Sequence, residues 1–342
     1  MSYTQSSLAA ARRCARLYGL RYWLKWSLLG DGEREALAVG TCWHLAHRVG
    51  AGDPYALIDA HAPSSLWAEK LRRIFAAHAW YWRSYDAGAK LVTTATEGSF
   101  KFEWEHREWE GQIDERLVTP DGRTGIMERK TTSDSLSPES DYWKKLRMDV
   151  QCGLYGLAAG RPDFILYDVV RKPALEPKLI AQKDRARMLR ELEHGAHPGF
   201  ATYFGEEFPS EVVLPALEQQ RENEPLYGAR LTADIGDRPD HYFARREVSR
   251  TAADYEALQH DLLAQAKLIE LQQHTNLWPR NPDACNQFGT CEFFRLCSNN
   301  YTPHLSNDAP RWDENQEPPT GYVRREHLHP ELAQDNQGTE RS

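Results

Sequence analysis

No apolar run in this chain of 342 residues is long enough to cross a bilayer as a helix. The first eleven residues are polar and lack the apolar segment of a secretory signal, so the sequence predicts a cytoplasmic protein with no membrane partner. There is no excess of positive charge. The 42 Lys and Arg against 50 Asp and Glu leave a formal net charge of −8, which argues against a protein that coats nucleic acid along its length. A local basic groove is still allowed, and Arg12, Arg13, Arg16, Arg21 and Lys25, or Lys144, Lys145 and Arg147, would supply one unless they are ordinary solvated helix faces. The Gly-x-x-x-x-Gly-Lys-[Ser/Thr] loop that cradles nucleotide phosphates is missing. The six cysteines should not pair as disulfides in a reducing compartment. No internal repeat is visible.

What is present supports a substantial core: 41% hydrophobic residues, with 11 Trp and 15 Tyr. Ser6 or Ser7 can cap a first helix that runs towards Trp26; further helices are expected over 34–48 and, broken near Pro63, over 54–85. The pattern then turns to alternation and β-branched residues over 91–96, 100–106, 108–118 and 124–130, with Pro120-Asp121-Gly122 as the turn between the last two. A helix over 142–159, an apolar strand over 163–170, a mostly helical stretch over 178–208, a strand over 240–248 and an amphipathic helix over 251–273 follow. Beyond 300 the chain is rich in Pro, Asn, Gln and Glu, and 301–342 is expected to be a disordered tail.

Two adjacent strands carry the chemistry. Gly111-Gln112-Ile113-Asp114 ends on an aspartate, and Gly125-Ile126-Met127-Glu128-Arg129-Lys130-Thr131-Thr132 carries a glutamate and a lysine two residues apart. Strand side chains alternate, so Glu128 and Lys130 share a face. Two carboxylates can share a divalent metal, and a neighbouring ammonium can steady an attacking water. Gly111 permits close backbone approach, and Ile126 and Met127 make the approach to Glu128 apolar. Solvated surface strands carry the same residue types, so the hairpin alone does not specify a site.

Gln151 and Tyr155 are four apart on the next helix and share one face, either as core and surface residues or turned together towards the same groove. His44, on the second helix with Gly40, can complete an oxygen-rich metal site and would favour manganese; His47 nearby reads as structural. Cys42 and Cys152 sit in apolar helical contexts and read as core. Cys285, Cys291 and Cys297 follow at six-residue steps, one ligand short of a metal centre, and Cys14 is the plausible fourth. Four thiolates suit zinc or an iron–sulfur cluster.

Taken in order, His44, Gly111-x-Ile113-Asp114, Glu128-x-Lys130-Thr131 and Gln151-x-x-x-Tyr155 resemble the motifs of RecB-type nucleases of the PD-(D/E)XK superfamily. The segment around Cys14-Ala15-Arg16 looks like the N-terminal cysteine segment of its iron–sulfur members, which include AddB-type subunits, CRISPR-associated adaptation exonucleases and phage-encoded relatives. The resemblance covers 1–300, although 172–238 carries no recognised motif. It implies an α/β, restriction-endonuclease-like mixed sheet flanked by helices, in one domain. That domain would comprise a helical part (1–90), a catalytic core (91–171), an insertion or lobe (172–238) and a C-terminal helix with the Cys-rich segment (239–300). It further implies that Asp114 and Glu128 bind one or two Mg2+ or Mn2+ ions, with His44 and the Arg129 carbonyl as further ligands. Lys130 would orient water, Gln151 and Tyr155 would position substrate, and Glu97 would be an outer supporting carboxylate. Cys14, Cys285, Cys291 and Cys297 would hold a 4Fe–4S cluster, with structural Zn2+ as the alternative. The implied partner is DNA, together with a recombinase, helicase or CRISPR-adaptation protein. The implied activity is exonucleolytic deoxyribonuclease action in recombination, repair or phage or CRISPR DNA processing. A structure-specific endonuclease and a catalytically silent DNA-binding or assembly subunit are the rival readings.

Overall fold

The computed structural model describes residues 2–29, 35–48, 52–287, 289–299 and 316–325, without the side chains of 36, 84, 87, 88, 96 and 97. In chain order the elements are β1 (Ser2–Tyr3), α1 (Gln5–Arg13), α2 (Ala15–Tyr18), β2 (Trp26–Leu28), α3 (Glu35–His47), α4 (Pro54–His61) and α5 (Ser65–Ala89). Next come β3 (Val92–Trp104), β4 (Arg107–Val118), β5 (Thr124–Thr132), α6 (Asp141–Leu146), α7 (Val150–Ala158) and β6 (Phe164–Arg171). The chain continues through α8 (Gln182–His194), β7 (Phe200–Tyr203), β8 (Glu206–Pro209), α9 (Ser210–Glu218), α10 (Glu224–Asp237), β9 (Phe243–Val248), α11 (Ala252–Thr275), α12 (Phe294–Ser298) and β10 (Tyr322–Arg324).

Six strands form one mixed sheet. β3 runs antiparallel along the whole of β4, from Val92↔Val118 to Trp104↔Arg107. The other edge of β4 is therefore shared: β1 lies parallel to it at Glu108 and Trp109, and β5 antiparallel to it from Glu115↔Met127 to Val118↔Thr124. β5 pairs parallel with β6, and β6 antiparallel with β9. The mixed α/β sheet flanked by helices is the architecture expected from the sequence.

Helices cover both sides. α1, α7 and α11 bury Leu8, Leu154, Leu262 and Ile269 against Ile126, Ile165 and Val169. α3, α4, α5 and α10 bury Trp43, Ile58, Ile74 and Leu231 against Val170 and Phe243. Each such aliphatic side chain contributes roughly 1.5–3 kcal/mol by leaving water. Residues Met188, Phe208, Val213 and Leu226 form a separate small core within 172–238.

Several expectations need correction. The first helix is capped by Thr4, whose hydroxyl accepts from the Ser7 amide; Ser7 returns the bond and so completes a capping box. That helix stops at Arg13, and after the extended Cys14 the chain re-enters α2 and one π-helical turn over Gly19–Trp23. The segments 91–96 and 100–106 are one strand, β3. The helix expected over 142–159 is two, because Asp149 is extended and caps α7. The stretch 178–208 is not mostly helical: β7 and β8 form a hairpin inside it. Most of 301–342 lies outside the described residues, but 316–325 is placed, and β10 pairs with β2.

Candidate active site

β4, β5 and α7 converge. Asp149 starts α7, and its Oδ1 accepts from the Gln151 amide at 2.8 Å. One turn of helix then carries Gln151 and Tyr155 towards β5. Gln151 Nε2 donates to Glu128 Oε1 at 2.8 Å and to the Tyr155 hydroxyl at 3.2 Å, while its Oε1 accepts from Lys130 Nζ at 2.9 Å. Lys130 Nζ also donates to Glu128 Oε1 at 3.0 Å and lies 3.5 Å from Asp149 Oδ2. Gly111 makes room for this. A Cβ there would lie 2.8 Å from the Phe100 ring and 3.0 Å from the Tyr155 ring.

Asp114 faces the same place from β4. Its Oδ2 accepts from the Arg129 amide at 2.7 Å, and its Oδ1 lies 3.2 Å from His44 Nδ1. α3 brings His44 there. Asp114 and Glu128 are only 8% and 2% exposed, whereas the His44 side chain is 36% exposed, so the group opens to solvent beside α3.

The electrostatics separate the two carboxyls. Burial pushes Glu128 up to about 7, and the Asp114 charge adds to this against the pull of Lys130 and His44. Burial would raise Asp114 too, but His44 and the Arg129 amide and guanidinium hold it below its ordinary value. Burial opposes the Lys130 charge, yet Glu128 foremost keeps its ammonium well above the usual lysine range. Burial and the Glu128 charge raise the Tyr155 phenol, which stays neutral.

The donor set fits a hard divalent cation. Two buried carboxylates, one of them forced towards its neutral form, sit beside an imidazole and want added positive charge. Among the described residues no three His, Cys, Asp or Glu side chains already close on one point.

The structure thus brings His44, Asp114, Glu128, Lys130, Gln151 and Tyr155 together. The Glu97 side chain lies outside the described residues. Asp149 was missed; its signal was an N-capping residue two positions before Gln151. His47 is structural, as expected: its Nδ1 bonds the Trp43 carbonyl at 3.0 Å, and burial lowers it to about 3. Cys42 and Cys152 are fully buried.

Cys14, Cys285, Cys291 and Cys297 line one cavity of about 550 Å3, and none is in a disulfide. The Asn281 amide lies 3.4 Å from Cys14 Sγ. Three of the arginines around Cys14 reach across to the C-terminal part of the chain. Arg13 donates to the Ala284 carbonyl, Arg16 to that of Trp278, and Arg21 pairs with Glu292. They fasten the first helices to the Cys-rich segment. No described helix is long and apolar enough to cross a membrane.

A mixed α/β sheet presenting Asp and Glu-x-Lys on neighbouring strands is the frame of a metal-assisted phosphodiester hydrolase. Residues 2–298 match the PD-(D/E)XK nuclease superfamily, and the chain belongs to it. Nucleases of this superfamily generally use Mg2+ or Mn2+. No curated protein sequence matches the chain. Among solved structures the chain is similar to one described as the crystal structure of SSO0001, at 12% identity and a TM-score of 0.22. The match covers 41% of this chain and 64% of that one, and so small a likeness carries no argument.

Proposed function

We propose that this protein is a RecB-type, metal-dependent deoxyribonuclease that degrades DNA from ends or as single strands. The observation that carries the reading is the fixed Lys130 ammonium, held by Glu128 and Gln151, with Asp114 bound to the backbone of the intervening residue, Arg129. Asp114 and Glu128, with His44 alongside, would hold Mg2+ or Mn2+, which would supply charge neutralisation at the scissile phosphate. Lys130 orients the attacking water and meets the negative charge that develops on the phosphoryl oxygens. Gln151 fixes the lysine and, with Tyr155, lines the approach of the substrate. No residue of the set is missing, which argues against a catalytically silent subunit.

Cys14, Cys285, Cys291 and Cys297 are proposed to hold a 4Fe–4S cluster that ties the first helices to the C-terminal segment. The cavity that all four line supports this. Such a protein serves recombination, repair or the processing of phage or CRISPR DNA, alongside a recombinase, helicase or CRISPR-adaptation protein.

The test is digestion of end-labelled linear DNA against circular single-stranded DNA with Mn2+. An exonuclease spares the circle; equal cutting of the circle supports an endonuclease instead. Anaerobically purified protein should be brown, whereas colourless protein with stoichiometric zinc contradicts the cluster.

A further inference from the structure

The hydrogen-bonded ladder between β4 and β5 stops at Glu115↔Met127, one residue short of the site. Burial changes there too: Ile113, Asp114 and Glu115 are all buried, in a strand that otherwise alternates. The two strands therefore part where the two carboxylates must be held at a fixed separation.

Arg129 spans that parting. It lies between Glu128 and Lys130, so by alternation its side chain leaves β5 on the other face. There it sits beside the Asp168 position of β6, and His47 feels its charge. Its backbone N–H, which a continued ladder would give to a β4 carbonyl, goes instead to Asp114 Oδ2 at 2.7 Å. Its guanidinium pairs with Glu115, the next residue of β4, and Glu115 also accepts from the Thr93 hydroxyl of β3. Two successive β4 residues thus grip one β5 residue, through main chain and side chain. Both members are buried or nearly so, with side chains 13% and 9% exposed.

We infer that the Glu115–Arg129 pair is a positioning clamp that sets the spacing of Asp114 and Glu128, and through it the affinity for the divalent cation. The inference rests on the reading that these carboxylates hold the cation. The Arg129 and Glu115 side chains touch neither substrate nor reacting atoms, since they leave their strands on the face away from Glu128 and Lys130. Their effect passes through the N–H that Arg129 gives Asp114. Groups that orient metal ligands in this way typically govern affinity by roughly 10- to 100-fold.

The experiment measures Mn2+ binding by titration calorimetry, melting temperature, and kcat and KM on linear DNA. The variants are Arg129→Met, Glu115→Gln, their double, Arg129→Lys and Asp114→Ala. Arg230→Met, which breaks the buried Arg230–Glu222 pair within 172–238, serves as the destabilised control. Arg129→Met and Glu115→Gln should each weaken Mn2+ roughly tenfold or more, with KM for DNA little changed. The double should be no worse than either single, and Arg129→Lys should recover part of the loss. Arg230→Met should lower the melting temperature and leave Mn2+ affinity alone. Should Arg129→Met not fold, the nearly isosteric Glu115→Gln decides. Unchanged Mn2+ affinity in folded Glu115→Gln, with Asp114→Ala losing it, overturns the clamp and spares the metal site. Retained affinity in Asp114→Ala overturns both.

Discussion

Glu128 should make the metal-free protein less stable as pH rises through neutrality. Its carboxyl is 2% exposed, and burial lifts it from 4.5 to about 7. The folded chain therefore keeps a proton that the unfolded chain releases above 4.5. Where the folded state binds more protons, unfolding free energy falls with pH, so the loss accrues across that window and levels off above it. A shift of about 2.5 units at about 1.4 kcal/mol per unit corresponds to roughly 3 kcal/mol. Asp114 is shifted the other way and acts below its ordinary value of 3.8, outside the window. The perturbation is Glu128→Gln, which keeps the shape and cannot ionise. Urea unfolding without metal, at steps between about pH 5 and pH 8, should show the wild type losing roughly 3 kcal/mol relative to the variant. Adding Mn2+ at the upper end should restore the wild type alone. Parallel profiles for the two proteins would refute the reasoning.

Asp149→Asn should retain the α7 cap and change stability by only a few tenths of a kcal/mol, whereas Asp149→Ala should cost about 1 kcal/mol in urea unfolding. Arg16→Ala removes the bond to the Trp278 carbonyl and should cost roughly 1.5–3 kcal/mol, read as a fall in melting temperature. Gly125→Ala would place a Cβ 2.3 Å from the Phe164 ring and should cost roughly 1–3 kcal/mol by overpacking.

The strands and the site were largely readable because their signals are local. Alternation and the Pro120-Asp121-Gly122 turn set the β4–β5 hairpin, and the spacing of four put Gln151 and Tyr155 on one face. What escaped was decided by contacts distant in sequence or by competition between caps. Ser6 and Ser7 are good caps, but Thr4 wins because Ser7 serves as its reciprocal partner. Residues 147–149 carry no Gly or Pro to break a helix, so the one sign that α7 starts anew was Asp149 itself, an N-capping residue type inside an apparently continuous helical stretch. The hairpin of β7 and β8 turns through Phe204 in the left-handed region, a position where Asn or Gly is the usual signal. Arg13, Arg16 and Arg21 read either as a basic groove or as solvated helix faces, because their partners lie more than 260 residues away. The β10 pairing with β2 was hidden in a polar, proline-rich stretch.

The most direct test of the central claim is cleavage of linear DNA with and without Mn2+ by wild type, Asp114→Ala and Lys130→Ala. Mn2+-dependent cleavage is expected from the wild type alone, with both variants folded by circular dichroism. Full activity in either folded variant would contradict it.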